Sequence, residues 1–151
     1  TVSRTTRWNT VPFVVQGGDP SSADPKVPTT RYGMGSFIDP LTGSARLIPL
    51  ELKLRRSGEL RYGQPITAAA QTKDLQLTHQ RGAVAMARSN DPNSASAQFY
   101  VALEALPELD GRYAVFGRVS SGMEVIDRIQ QGDRIVKASV LEGGTLVKGQ
   151  P

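Results

Sequence analysis

The sequence predicts a mainly β fold: a closed or nearly closed antiparallel barrel with one or two short helices on its ends. Three observations predict it. Residues 81–119 hold three short apolar runs, Ala83–Ala87, Gln98–Leu103 and Tyr113–Val119, each bounded by turn residues. The 151 residues include 15 Gly and 10 Pro, which favours many turns and short strands over a helical bundle. Counted end to end, about seven strand candidates and no internal repeat suit a barrel. At this length, residues 1–151 are expected to form one domain.

Taken in order, Thr1–Thr10 is polar, holds the only Trp (Trp8) and has no useful period. Pro12–Gln16 is a short apolar strand candidate, closed by Gly17-Gly18-Asp19-Pro20. That run makes a sharp turn, because Gly allows positive φ and Pro fixes the next segment. No Lys-Ser/Thr follows it, so it is not expected to cradle phosphate. Ser21–Pro40 reads as a long loop punctuated by Tyr32, Met34, Phe37 and Ile38, and long loops in small domains tend to be functional. Arg46–Leu54 alternates after Pro49 and predicts a strand with Leu50, Leu52 and Leu54 on one face. Arg55–Gly63 reads as a basic turn or hairpin, and Thr67–Leu77 fits either a short helix or surface chain.

In the central stretch, Ser89–Ala97 is small and polar and reads as a loop. Leu106–Gly111 ends on the turn dipeptide Asp110-Gly111. Ser121–Gln131 is the clearest helix: Ser121 and Glu124 fit a capping box, Met123, Ile126 and Ile129 share a stripe, and Gly132 stands at the stop. Arg134–Val140 and Thr145–Val147 read as two strands joined by Gly143-Gly144.

Composition excludes several classes of function. The net charge is +4, but the 18 basic residues are spread out, with no run beyond Arg55-Arg56. Nucleic-acid binding, which needs clustered charge, is not expected. No apolar run approaches the ~20 residues of a bilayer span, and no charged start leads into an apolar segment, so neither membrane insertion nor a retained signal peptide is expected. Without cysteine, disulfides and thiolate chemistry are absent. His79 is the only histidine. It reads as structural or exposed, a lone His with no nearby carboxylate or Cys, so no metal or other cofactor is expected. No nucleophile has a base beside it. Gln98 entering the aromatic pair Phe99-Tyr100, below a polar loop, instead suits a shallow apolar pocket with a few hydrogen-bonding groups, of a kind that binds peptide.

Five ordered motifs carry a resemblance: Phe13-Val-Val-Gln16-Gly-Gly-Asp19, Gly82-Ala-Val-Ala-Met86-Ala87-Arg88, Asn90-Asp-Pro-Asn-Ser94, Ala97-Gln98-Phe99-Tyr100 and Leu109-Asp110-Gly111-Arg112-Tyr113-Ala-Val-Phe116-Gly117. With their spacing, from about Phe13 to about Ile135, the chain resembles the cyclophilins, peptidyl-prolyl cis/trans isomerases. Gly35-Ser-Phe-Ile-Asp-Pro40 and Arg46-Leu-Ile-Pro-Leu-Glu51 are similar to the thylakoid-lumen type of cyanobacteria and plants. The resemblance implies thylakoid lumen or periplasm, with cytoplasm the alternative. It also implies that the family's first two strands and first helix have no counterpart before Thr1. The chain would then be a fragment, follow a removed segment, or take those strands from a partner.

The resemblance implies an isomerase acting on X-Pro bonds of client proteins, assisting folding, or a catalytically weak peptide-binding module acting as chaperone or assembly factor. It implies a catalytic guanidinium at Arg4, with Arg7 the alternative. Phe13 and Val14 would line the proline cup, and Gln16 and Gln98 would bond the peptide or position the Arg. Ala87 would make backbone contacts on the peptide path. Arg88 stands where many members have Asn, either altering peptide preference or ending a strand in solvent. Tyr100 replaces the usual Phe of the cup floor, and its hydroxyl would need a partner if buried. Leu109 would form the wall. Tyr113 stands where many members have His, and Glu108 where many have the Trp that holds cyclosporin, so weak cyclosporin binding is expected.

Overall fold

The computed structural model describes residues 3–6 and 12–143, with side chains from 13 to 143. Its elements are short because each apolar run is. β1 (Ser3–Thr6), β2 (Pro12–Gly17), β5 (Ala83–Met86), β6 (Phe99–Ala102) and β7 (Val115–Arg118) form one antiparallel sheet in the order β1-β2-β6-β5-β7. β3 (Glu51–Lys53) and β4 (Leu60–Tyr62) form a separate hairpin. The helices α1 (Ala69–Thr72) and α2 (Met123–Ile126) are single turns.

Register fixes what shares a face. Tyr100 lies opposite Gln16 on one side and Ala85 on the other. One core cluster gathers Val14, Ala83, Ala85, Tyr100, Ala102 and Leu106, with Phe13, Leu109 and Tyr113 packed against it. Three of its members are alanines, and their small side chains leave room for the tyrosine rings. A second cluster, Leu50, Leu52, Leu54, Ile66 and Leu75, lies under the hairpin. The two halves are pinned at Gly111. Its φ is +77°, its carbonyl accepts from Ile66 N–H at 2.8 Å, and a Cβ there would strike the Ile66 carbonyl.

The expected face of Leu50, Leu52 and Leu54 is buried, yet only three residues of Arg46–Leu54 are strand. Ile48 and Leu54 make single bridges, to Ala95 and Leu75. Arg55–Gly63 forms the hairpin turn and β4. A closed barrel is not what the described residues form. The hydrogen-bonded ladder is open, and an apolar groove of about 500 Å³, lined by Ile48, Leu52, Leu75, Val115 and Phe116, separates β3 from β7.

Three expectations are corrected here. The Ser121–Gln131 helix is one turn, and its N-cap is Gly122 at φ +87° rather than Ser121. The left-handed glycine shifts the cap by one residue, so the serine hydroxyl makes no cap bond. Met123, Ile126 and Ile129 are still half-buried, and Gly132 is left-handed. Arg134–Val140 forms no strand; nothing pairs with it among the described residues, and Val136 is 95% exposed. Ser3–Thr6, where no period was visible, is a strand because β2 offers it an edge. Thr145–Val147 lies outside the described residues.

Candidate active site

A cleft of about 360 Å³ opens at one end of the five-stranded sheet. Phe13, Val14, Gln16, Ala87, Arg88, Gln98, Tyr100, Leu109 and Tyr113 all line it, so the nine residues singled out for peptide binding meet in one place. They come from β2, the ends of β5 and β6, and the turn before β7. The tenth, Arg4, lies on β1 with its backbone opposite Val15; its side chain lies outside the described residues, as does all of Arg7.

The apolar floor is set by a buried polar chain. Tyr100 and Tyr113 meet edge to face at 5.9 Å between ring centroids. The Tyr100 hydroxyl is 2.8 Å from Nε2 of His79, and His79 Nδ1 is 2.8 Å from Asp110 Oδ1. Asp110 Oδ1 also accepts from the His79 backbone N–H at 2.7 Å. With Nδ1–H donating to the carboxylate, Nε2 is left to accept from the tyrosine, and every partner in this neutral tautomer is satisfied. The expectation that His79 lacks a nearby carboxylate is therefore wrong. Asp110 is 31 positions away in sequence and comes beside it through the turn at Gly111. The side chain of His79 is 1% exposed. Burial pushes its pKa down more than Asp110 pushes it up. Burial, aided by Tyr113, raises that of Tyr100.

The polar wall is built differently. Gln16 Nε2 donates to Gln98 Oε1 at 3.0 Å, and Gln98 Nε2 donates to the carbonyls of Gly33 at 3.0 Å and Gly35 at 2.8 Å. Both amide hydrogens of Gln98 are thus engaged in holding the 33–35 loop. The same loop is gripped from behind by Asp19, which is 7% exposed. Its carboxylate accepts from Ser21 N–H, Ser21 Oγ, Gly33 N–H and, more weakly, Gly35 N–H. Burial alone would raise the Asp19 pKa, but these bonds hold it below the usual range. A Cβ on Gly35 would collide with that carboxylate, and one on Gly18, at φ +85°, with the Ala97 carbonyl. Glycine is required at both.

The sequence did not single out Asp19, His79 or Asp110 for the site, nor Gly33, Gly35, Ser36, Ser94 and Ser96, which also line the cleft. The one signal was the hydroxyl of Tyr100, which called for a buried partner. Among the described residues no three His, Cys, Asp or Glu side chains converge on a point that could hold a metal ion, and no helix is long and apolar enough to cross a membrane. The cleft offers an apolar cup with hydrogen-bonding groups on one side and a guanidinium, Arg88, on the other.

Comparison with known proteins bears on what such a cleft is for. A Synechocystis sp. protein named as a thylakoid lumen peptidyl-prolyl cis-trans isomerase is 36% identical over 148 residues, 91% of this chain and 36% of its own length. A Brucella abortus protein named as a peptidyl-prolyl cis-trans isomerase is 41% identical over 68 residues, 45% of this chain and 35% of its own. The chain thus spans about a third of the length of the curated relatives it matches. A solved cyclophilin from Hirschia baltica, AquaCyp293, overlaps 90% of this chain and 55% of its own, with a TM-score of 0.48 and 18% identity. The family model for cyclophilin type peptidyl-prolyl cis-trans isomerase/CLD matches residues 4–147. That match takes in both the polar wall and the tyrosine floor, and the chain belongs to the cyclophilin-type peptidyl-prolyl cis-trans isomerase family.

Proposed function

We propose that the cleft binds X-Pro segments of client proteins and accelerates their cis/trans exchange. One observation carries this reading: an apolar cup of Phe13, Tyr100, Leu109 and Tyr113 adjoins a polar wall fixed by Gln16 and Gln98. An X-Pro bond exchanges slowly because amide resonance must be broken, across a barrier of ~18–20 kcal/mol. No bond to the enzyme is needed. A cup that holds the ring and a guanidinium facing the prolyl nitrogen favour the twisted amide, whose nitrogen regains its lone pair. Arg4 is the guanidinium we assign. Its support is that β1 runs beside β2, the strand that carries Phe13, Val14 and Gln16.

The test is exchange on a short X-Pro peptide, followed without protease, for the protein, Arg4→Ala and Arg7→Ala. Activity abolished only by Arg4→Ala supports both the function and the assignment. Loss only in Arg7→Ala moves the role to Arg7. If the unaltered protein fails to accelerate exchange, the cleft is a peptide-binding module.

Two narrower proposals go with this. Glu108, exposed on the turn Pro107–Leu109 at the cleft wall, offers a carboxylate where an indole would pack on an apolar macrocycle, so cyclosporin should bind weakly; a low-micromolar inhibition constant overturns that. We assign the chain to the thylakoid lumen or periplasm on its likeness to the Synechocystis protein, which fractionation of the source cells would test.

A further inference from the structure

Among the described residues, Arg88 is a cation without an anion. Its guanidinium carbon lies 4.5 Å from the centre of the Tyr113 ring, at the rim of the cleft. Nε and Nη2 donate to the Arg112 carbonyl, at 3.0 and 2.5 Å; Nη1 donates to the carbonyls of Ser89 and Asn90, at 2.7 and 3.2 Å. All three acceptors are neutral. Of the five N–H groups of a guanidinium, this leaves one, on Nη2. The ion pairs among the described residues join Arg56 to Asp74, Arg61 to Glu59, His79 to Asp110 and Arg81 to Asp127. None includes Arg88. The carboxylate of the floor, Asp110, is turned to His79, that of Glu108 stands exposed on the Pro107–Leu109 turn, and Ser89, Ser94 and Ser96, which line the cleft with Arg88, are neutral.

A positive charge is thus held rigidly, by backbone dipoles and an aromatic face, where a peptide would lie. Holding it there beforehand removes most of the side-chain entropy that an exposed arginine would lose on pairing. We propose that Arg88 makes the cleft selective for peptides bearing a carboxylate within two residues of the proline, and unfavourable to those bearing a cation there. The proposal deepens the peptide-binding reading of the same cleft and rests on it.

The test uses one X-Pro peptide made with Glu, Gln or Lys at each of the two positions before and after the proline. Exchange and affinity are both read by NMR titration. At low salt, in at least one position, Glu should bind about 3–10-fold tighter than Lys, with Gln between. Added salt should shrink the ratio, because a charge at the rim is partly screened. Arg88→Gln should erase the ratio and Arg88→Lys keep part of it. Arg118→Gln removes an equal charge from an exposed position on β7 and should leave the ratio in place. Equal affinity for Glu and Lys peptides in the unaltered protein overturns the inference, even if all are isomerised. So does a ratio that falls as far in Arg118→Gln as in Arg88→Gln, which would assign it to the overall charge of +4. If no peptide is isomerised, the isomerase reading fails, and the affinities alone decide the inference.

Discussion

The floor of the cleft is buried and its polar wall only partly so, yet both rest on a carboxylate. They differ in what the carboxylate holds. Asp110 anchors one side chain, His79, which in turn fixes a ring already clamped between two strands. Asp19 anchors a loop with no ladder of its own, through the N–H groups of Gly33 and Gly35. The floor would keep its shape through packing if its hydrogen bonds weakened. The wall has only its hydrogen bonds, and its shape is lost with them. One cleft therefore joins a rigid half to a half that can be loosened separately.

The largest effect should come from His79→Ala. It removes a buried ring and leaves both the Tyr100 hydroxyl and Asp110 short of a partner, which should cost about 3 kcal/mol in denaturant unfolding. The amide signals of Gly33 and Gly35 should hardly move. Asp19→Asn should cost about 2 kcal/mol, since an amide cannot accept at both ends. Here the pattern reverses: the Gly33 and Gly35 signals shift, peptide affinity falls about tenfold, and the tyrosine signals stay. If both variants disturb both regions equally, the two halves are one cooperative unit. Tyr100→Phe should cost only about 1 kcal/mol, because the ring and its packing survive and one buried nitrogen loses its donor.

Acid should separate the halves with the smallest effects. His79 has a folded pKa below its ordinary value of about 6.5. The unfolded chain therefore takes up its proton first, and stability is lost as pH falls from about 7 through the lower folded midpoint. A histidine titration followed by NMR should give a midpoint below that of a free peptide, and one above it sinks this prediction. Asp19, also lowered, contributes stability above about 3.8 that is lost only below it. The melting temperature should step down twice, first for the floor and then for the wall.

The same contrast explains what could be read from the chain. Strands announced themselves through short apolar runs, because burial on both faces leaves that trace; hence Pro12–Gly17, Ala83–Met86 and Phe99–Ala102. The nine cleft residues fell within the family's motifs. Ser3–Thr6 was invisible, since it is a strand by virtue of its neighbour and not its own pattern. Arg134–Val140 had the pattern and no neighbour. His79 and Asp110 carry no local signal of each other, because a turn and a sheet register bring them together. At Ser121, glycine's left-handed freedom one residue later overrode a capping pattern that was correct in spacing.

Gln16 and Gln98 stand 82 positions apart, and β2 has no partner towards the sheet interior until β6 has been made. On the ribosome, at ~5–20 residues per second, that is a wait of several seconds. During it, Val14 and Val15 face solvent on a strand with an open edge, a state prone to pairing with the wrong chain. Topology of this kind also slows the search itself, since distant segments must meet before any contact rewards them. The cleft cannot exist in a half-made chain: its polar wall waits for Gln98 and its floor for Tyr113.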